Sequence, residues 1–145
     1  MTPQSFILIS LLILSIGLSS CLADQELTAS DKKLYQRVTQ IIFPKNIHLI
    51  ESVDNGEFVI SSSFHIDSVF LKQFINEYGF DTLQKYYPSQ FLGEHLLKKE
   101  RPNLNNPKSL LYVAGQKGKN SWIYIIDLKS NRLWAEVQYP DMGGH

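Results

Sequence analysis

The chain has 145 residues, with 14 Lys and Arg balanced by 14 Asp and Glu, four His and a single Cys. Zero formal net charge excludes the basic footprint of a nucleic-acid binder, and the sequence holds no polybasic run of the kind that docks on anionic membranes. A lone Cys excludes a disulfide framework and a thiolate zinc site, while the length allows one domain with its own core.

Residues 6–18 form an apolar run without a charge. As a helix it would reach about 20 Å, short of the ~30 Å hydrocarbon core of a bilayer. It fits instead the apolar centre of a secretory signal peptide, usually ~7–15 residues. Ser19, Ser20 and Cys21 follow with the small side chains a signal peptidase requires. The tetrad Leu18-Ser19-Ser20-Cys21 resembles the lipobox of bacterial lipoproteins. That resemblance implies a diacylglyceryl group on the Cys21 thiol, cleavage before Cys21 and acylation of the freed amine. It further implies a Gram-negative envelope location. It covers the signal segment alone. Residues 1–5 carry no Lys or Arg, where the class normally has one or more. Leu22 is not the Asp that commonly retains such proteins in the inner membrane, so the resemblance points to the outer membrane, facing the periplasm. Each buried CH₂ contributes about 0.8 kcal/mol and stable attachment takes about two chains, which a triacylated cysteine exceeds. The alternative is ordinary cleavage after Ala23, with release of a soluble protein.

Residues 22–29 read as a short tether. Ser30 suits the N-cap of a first helix and Asp31 its first turn; Leu34, Val38, Ile41 and Ile42 form its apolar stripe, and Pro44 stops it near Phe43. Residues 47–64 read as a hairpin turning at Asn55-Gly56, a pair suited to the two positive-φ positions of a type I′ turn. Such a turn pairs Asp54 with Glu57 and places His48 opposite Ser63. Ile47, Leu49, Val53, Phe58, Ile60 and Phe64 then share one face; His48, Ile50, Ser52, Val59, Ser61 and Ser63 share the other. Asp67 suits the N-cap of a second helix over residues 68–78, closed by Gly79. Residues 80–87 add a helical turn. A third helix opens at Pro88-Ser89 and runs to near Glu100, with Phe91, Leu92, His95 and Leu96 inward. Its end, Lys98-Lys99-Glu100-Arg101, reads as a solvated terminus. Residues 109–139 read as a meander with strands over 110–114, 122–128 and 133–139. A three-residue second turn at Lys129-Ser130-Asn131 pairs Ile126 with Trp134. Ile123, Ile125, Leu133, Ala135 and Val137 then lie on one face, and Trp122, Tyr124, Ile126 and Trp134 on the other.

The expected fold class is α+β: an antiparallel sheet of a hairpin plus a meander, with helices on one face, in the order α-ββ-α-α-βββ. The chain divides into a signal peptide over 1–20, the lipidated Cys21 and tether over 21–29, and one domain over 30–145.

Chemistry-bearing clusters are sparse. His48, His65, His95 and His145 lack metal-ligand spacing, and neither a metal nor any other cofactor is expected. Ser61-Ser62-Ser63 beside His65 lacks the acid and oxyanion hole that serine catalysis requires, and reads as the exposed face of a strand. Asp127 at a strand end reads as the tie of the following turn. The stripe of Trp122, Tyr124, Ile126 and Trp134 is the candidate partner surface, because exposed apolar patches mark interfaces and Trp and Tyr dominate their hot spots. If helices pack on that face instead, the stripe is core. The sequence thus describes a lipid-anchored, non-enzymatic protein that meets a protein of the envelope or periplasm. An immunity or inhibitor protein against a periplasm-acting toxin or hydrolase is one concrete form. A small cell-wall-acting enzyme or ligand-binding domain is the alternative, since sugars also stack on Trp and Tyr.

Overall fold

The computed structural model describes residues 29–83 and 95–142. Cys21, the tether up to residue 28, His145 and most of the expected third helix lie outside the described residues. Two helices, α1 (Ala29–Thr39) and α2 (Ser68–Tyr78), accompany six strands: β1 (Ile47–Asp54), β2 (Val59–Ile66), β3 (Asp81–Thr82), β4 (Leu110–Lys117), β5 (Asn120–Asp127) and β6 (Arg132–Gln138). The strands form one sheet in the order β1-β2-β6-β5-β4-β3, and every neighbouring pair is antiparallel. The α+β class with an antiparallel sheet is therefore the architecture. The β1–β2 hairpin and the meander join through β2 and β6 into a continuous surface.

α1 ends earlier than Pro44 requires. Gln40 adopts a left-handed φ of 62°, and its N–H still bonds to the Gln36 carbonyl. The Thr39 hydroxyl accepts from the Ile41 N–H, so the chain leaves the helix with its amides satisfied. Ile41 and Phe43 then drop into the core while Ile42 stays exposed. α2 follows its capping signals. The Asp67 carboxylate accepts from the Val69 N–H, and Gly79 closes the helix at a φ of 65°.

The β1–β2 turn is longer than Asn55-Gly56 suggests. Asp54 pairs with Ile60 rather than Glu57, and Gly56 and Phe58 both take positive φ. Side chains decide this. Asp54 Oδ1 accepts from the Gly56 N–H, and Asn55 Oδ1 accepts from the N–H groups of Glu57 and Val59. These local acceptors stabilise a wider turn than the two-residue one. The register also slips between Leu49 and Glu51, leaving Ile50 unpaired as a β-bulge. Because side chains alternate along a strand, the bulge reverses the faces of everything after it. Ser52 joins the side of Phe64, and Val53 moves to the opposite side.

Both sheet faces are covered. On the first, Tyr35, Val38 and Ile41 from α1 and its exit, with Leu71 and Phe74 from α2, pack on Phe64, Tyr124, Ile126, Leu133, Ala135 and Val137. On the second, Leu83 and Leu96 pack with Leu110, Ile123, Ile125 and Trp134. Asp81 and Thr82, within the stretch expected to add a helical turn, instead form β3, which pairs with Tyr112 and Leu111 of β4. The described end of the expected third helix is a single 3₁₀ turn, Lys98–Glu100. His95, expected inward, is exposed, and Leu96 is buried.

Candidate functional site

The β5–β6 loop decides where the aromatic residues go. Asp127 pairs with Arg132, so four residues rather than three make the turn, with Asn131 left-handed at a φ of 54°. Asp127 closes it: its carboxylate accepts from the Lys129 N–H at 3.1 Å and the Ser130 hydroxyl at 2.7 Å. Partial burial alone would push the Asp127 carboxyl up. The hydrogen bonds from Ser130, the Lys129 amide and Ser109 outweigh that and hold it below the usual carboxylate range.

The extra loop residue shifts the register by one, so Ile125 rather than Ile126 faces Trp134. The expected stripe is therefore split. Trp122, Tyr124 and Ile126 lie on the helix-covered face, where Tyr124 and Ile126 are fully buried. Trp134 lies on the other face, 5% exposed. The aliphatic set divides too: Ile123 and Ile125 belong to the second face, and Leu133, Ala135 and Val137 to the first. Trp122 alone of the four remains half-buried, its indole lying over Gly115.

Around Trp134 the second face is polar as well as apolar. The Trp134 Nε1–H donates to the Glu100 carbonyl at 2.6 Å, and Arg132 lies 5.7 Å from the indole centroid. Arg132 Nη2 donates to the Glu100 carboxylate at 2.5 Å and to the Ser63 hydroxyl at 3.4 Å. Its Nε is buried without a partner among the described residues. This cluster fastens the 3₁₀ turn of residues 98–100 onto the sheet. Glu51 fastens the same segment from β1, accepting from the Leu97 N–H at 3.1 Å.

The three serines are buried, not exposed as expected from a two-residue turn. Ser61 donates to Glu136, itself buried; Ser62 shares hydrogen bonds with Tyr35 and Ser52; Ser63 accepts from Arg132. Their hydroxyls thus serve cross-strand and helix-to-sheet contacts, not a base. His65 is exposed and stands opposite His48, also exposed, which was expected opposite Ser63. Arg132 is the next residue across the sheet from His65. A cation on that row would have two imidazoles and a neighbouring guanidinium, a poor donor set. Among the described residues no three His, Cys, Asp or Glu side chains converge as metal ligands.

The outward flank of α1 is charged. Lys33, Gln36, Arg37 and Gln40 recur at helical spacing and are exposed, and Lys32 is half-exposed. An open depression of about 780 Å³ runs along them, lined also by Asp31 and Leu34. Among the described residues, those that line it come from a single helix and its exit. Lys32, Lys33 and Arg37, opposite Tyr35 and Val38 at helical spacing, are the sequence signal for this flank. Comparison with family models, curated proteins and solved structures finds no match to this chain.

Proposed function

We propose that this chain is a lipid-anchored protein of the bacterial envelope that binds another protein rather than catalysing a reaction. The observation that carries the proposal is the apolar run over residues 6–18 ending in Leu18-Ser19-Ser20-Cys21, with Cys21 the single cysteine of the chain. An odd cysteine in an exported protein needs a use, and acylation supplies one. Outer-membrane attachment facing the periplasm follows from Leu22 in the position after it.

Binding is favoured over catalysis by the way the polar residues are spent. Ser61, Ser62 and Ser63 and the acid Glu136 are buried inside the sheet layers, where no substrate reaches them. Of the four aromatic-stripe residues, Trp122 keeps accessible surface, while Tyr124, Ile126 and Trp134 are withdrawn into the two cores. An immunity or inhibitor protein is the form of binder that suits a small anchored domain of this kind.

Two experiments test the proposal. Cys21→Ser is expected to move the protein from the membrane fraction to the soluble fraction or to stall its processing. Unchanged fractionation and processing would remove the anchor. Affinity capture from envelope extract with the detergent-solubilised full chain is expected to retain a protein at fixed stoichiometry, with loss of a hydrolytic activity if the partner is an enzyme. Retention on purified peptidoglycan with no protein partner would replace this reading by a cell-wall ligand-binding one.

A further inference from the structure

We propose that the outward flank of α1, carrying Lys32, Lys33 and Arg37, rests against an anionic phospholipid surface and sets the orientation of the domain on its membrane. The inference rests on the lipid-anchor reading above and adds to it which side of the molecule faces the bilayer.

Chain length supplies the first argument. Eight peptide steps separate Cys21 from Ala29, the first residue of α1. Fully extended, they span at most about 28 Å, whatever their conformation. A compact domain of this size is about 35 Å across. An acylated Cys21 sits at the membrane interface, so the start of α1 cannot stand on the far side of the domain.

Charge supplies the second. Leu34, Tyr35 and Val38 turn inward onto the sheet. Lys33, Gln36 and Arg37, at i, i+3 and i+4, therefore form the outward stripe, with Lys32 at its margin and the exposed Gln40 just past the helix end. Asp31 in the first turn is the single acid of the helix against these three cations. The next exposed side chain after Gln40 is the apolar Ile42. Exposed cations suit the headgroup layer of a bilayer that carries anionic lipid. Anionic lipid attracts such residues only within about a Debye length, ~8 Å at physiological salt. Three cations are too few to hold a protein on a membrane unaided. Next to an acyl anchor they need only select one face.

The test uses the full chain, purified from bacterial membranes, with Gln36→Cys or Lys98→Cys as a fluorophore site. Gln36 lies on the α1 flank; Lys98 lies on the segment covering the other sheet face, and both are exposed. An acylated Cys21 has no free thiol, so the wild-type chain should take no label. Labelled protein is reconstituted into vesicles of phosphatidylethanolamine and phosphatidylglycerol that contain headgroup quencher. Quenching is expected to be several-fold stronger at position 36 than at position 98. The ratio should fall towards one in purely zwitterionic vesicles, in high salt, and in Lys32→Gln/Lys33→Gln/Arg37→Gln. Equal quenching at both sites, or a ratio indifferent to lipid charge and to the triple substitution, overturns the orientation while leaving the anchor intact. Labelling of Cys21 in the wild-type chain overturns the anchor, and the orientation with it. Lys99→Gln/Lys108→Gln removes exposed cations elsewhere and should leave the ratio unchanged; a matching loss there would reduce the effect to net charge and overturn the proposal.

Discussion

Gly115 shows how a single missing methyl group shapes a surface. A Cβ built there would lie 2.4 Å from Trp122 Cζ2, so the indole rests where any other residue would place its side chain. Gly115→Ala is expected to displace Trp122 and to cost about 1–3 kcal/mol, as overpacking commonly does; urea unfolding measures it, and an unchanged midpoint would refute the contact. The tyrosines define a second residue-scale outcome. Burial, then the hydrogen bond to the Asp54 carboxylate and its negative charge, push Tyr139 up to about 12. Burial likewise raises Tyr35 and Tyr124. A folded-state pKa above the unfolded value of ~10 favours the protonated, folded form. The stabilisation is complete below about pH 10 and is lost as pH rises through about 12 for Tyr139. Titration followed by the tyrosinate absorbance should therefore show Tyr35 and Tyr124 ionising together with unfolding, and stability falling on the alkaline side.

At the scale of elements, two polar ties hold the layers in register. Tyr35 of α1 meets Ser62 of β2, and Thr39 meets Tyr124 of β5 at 3.1 Å. Ser62→Ala leaves the buried Tyr35 hydroxyl without that partner and is expected to cost about 1–3 kcal/mol. Adding Tyr35→Phe should recover part of the loss, because a satisfied apolar contact replaces an orphaned donor; additive losses in the cycle would exclude the coupling. On the other face, Trp134 joins the meander to the 3₁₀ turn at Glu100. Trp134→Ala is expected to cost about 3–5 kcal/mol, the range for a large buried side chain. Calorimetry distinguishes this from an interface role, in which the isolated domain would keep its melting temperature.

For the whole molecule, the sheet is a central layer with cover on both sides, helical on one face and largely irregular on the other in the described residues. Elements were legible wherever a local signal governed them: Asp67 and Gly79 bounded α2, and the strands of the meander fell close to their expected positions. The faces were not. An Asx-type turn at Asn55, a bulge at Ile50 and one more residue in the loop after Asp127 each changed the register, and a one-residue change sends every side chain beyond it to the other face. The aromatic stripe was an outcome of such a register, and so it did not survive.

Sequence by itself determined the charge-free apolar run that precedes Cys21, the balanced charge, the antiparallel α+β class and the positions of α2 and the meander. Those follow from composition and short-range patterns, which act within a few residues along the chain. Only the tertiary structure decided that Tyr124, Ile126 and Trp134 are core, that the serines are cross-strand ties, and that Lys32, Lys33 and Arg37 share an outward flank. Burial and facing depend on which strand lies beside which, and that pairing is set by turns and bulges whose energies differ by little and whose choice is made by the packed whole.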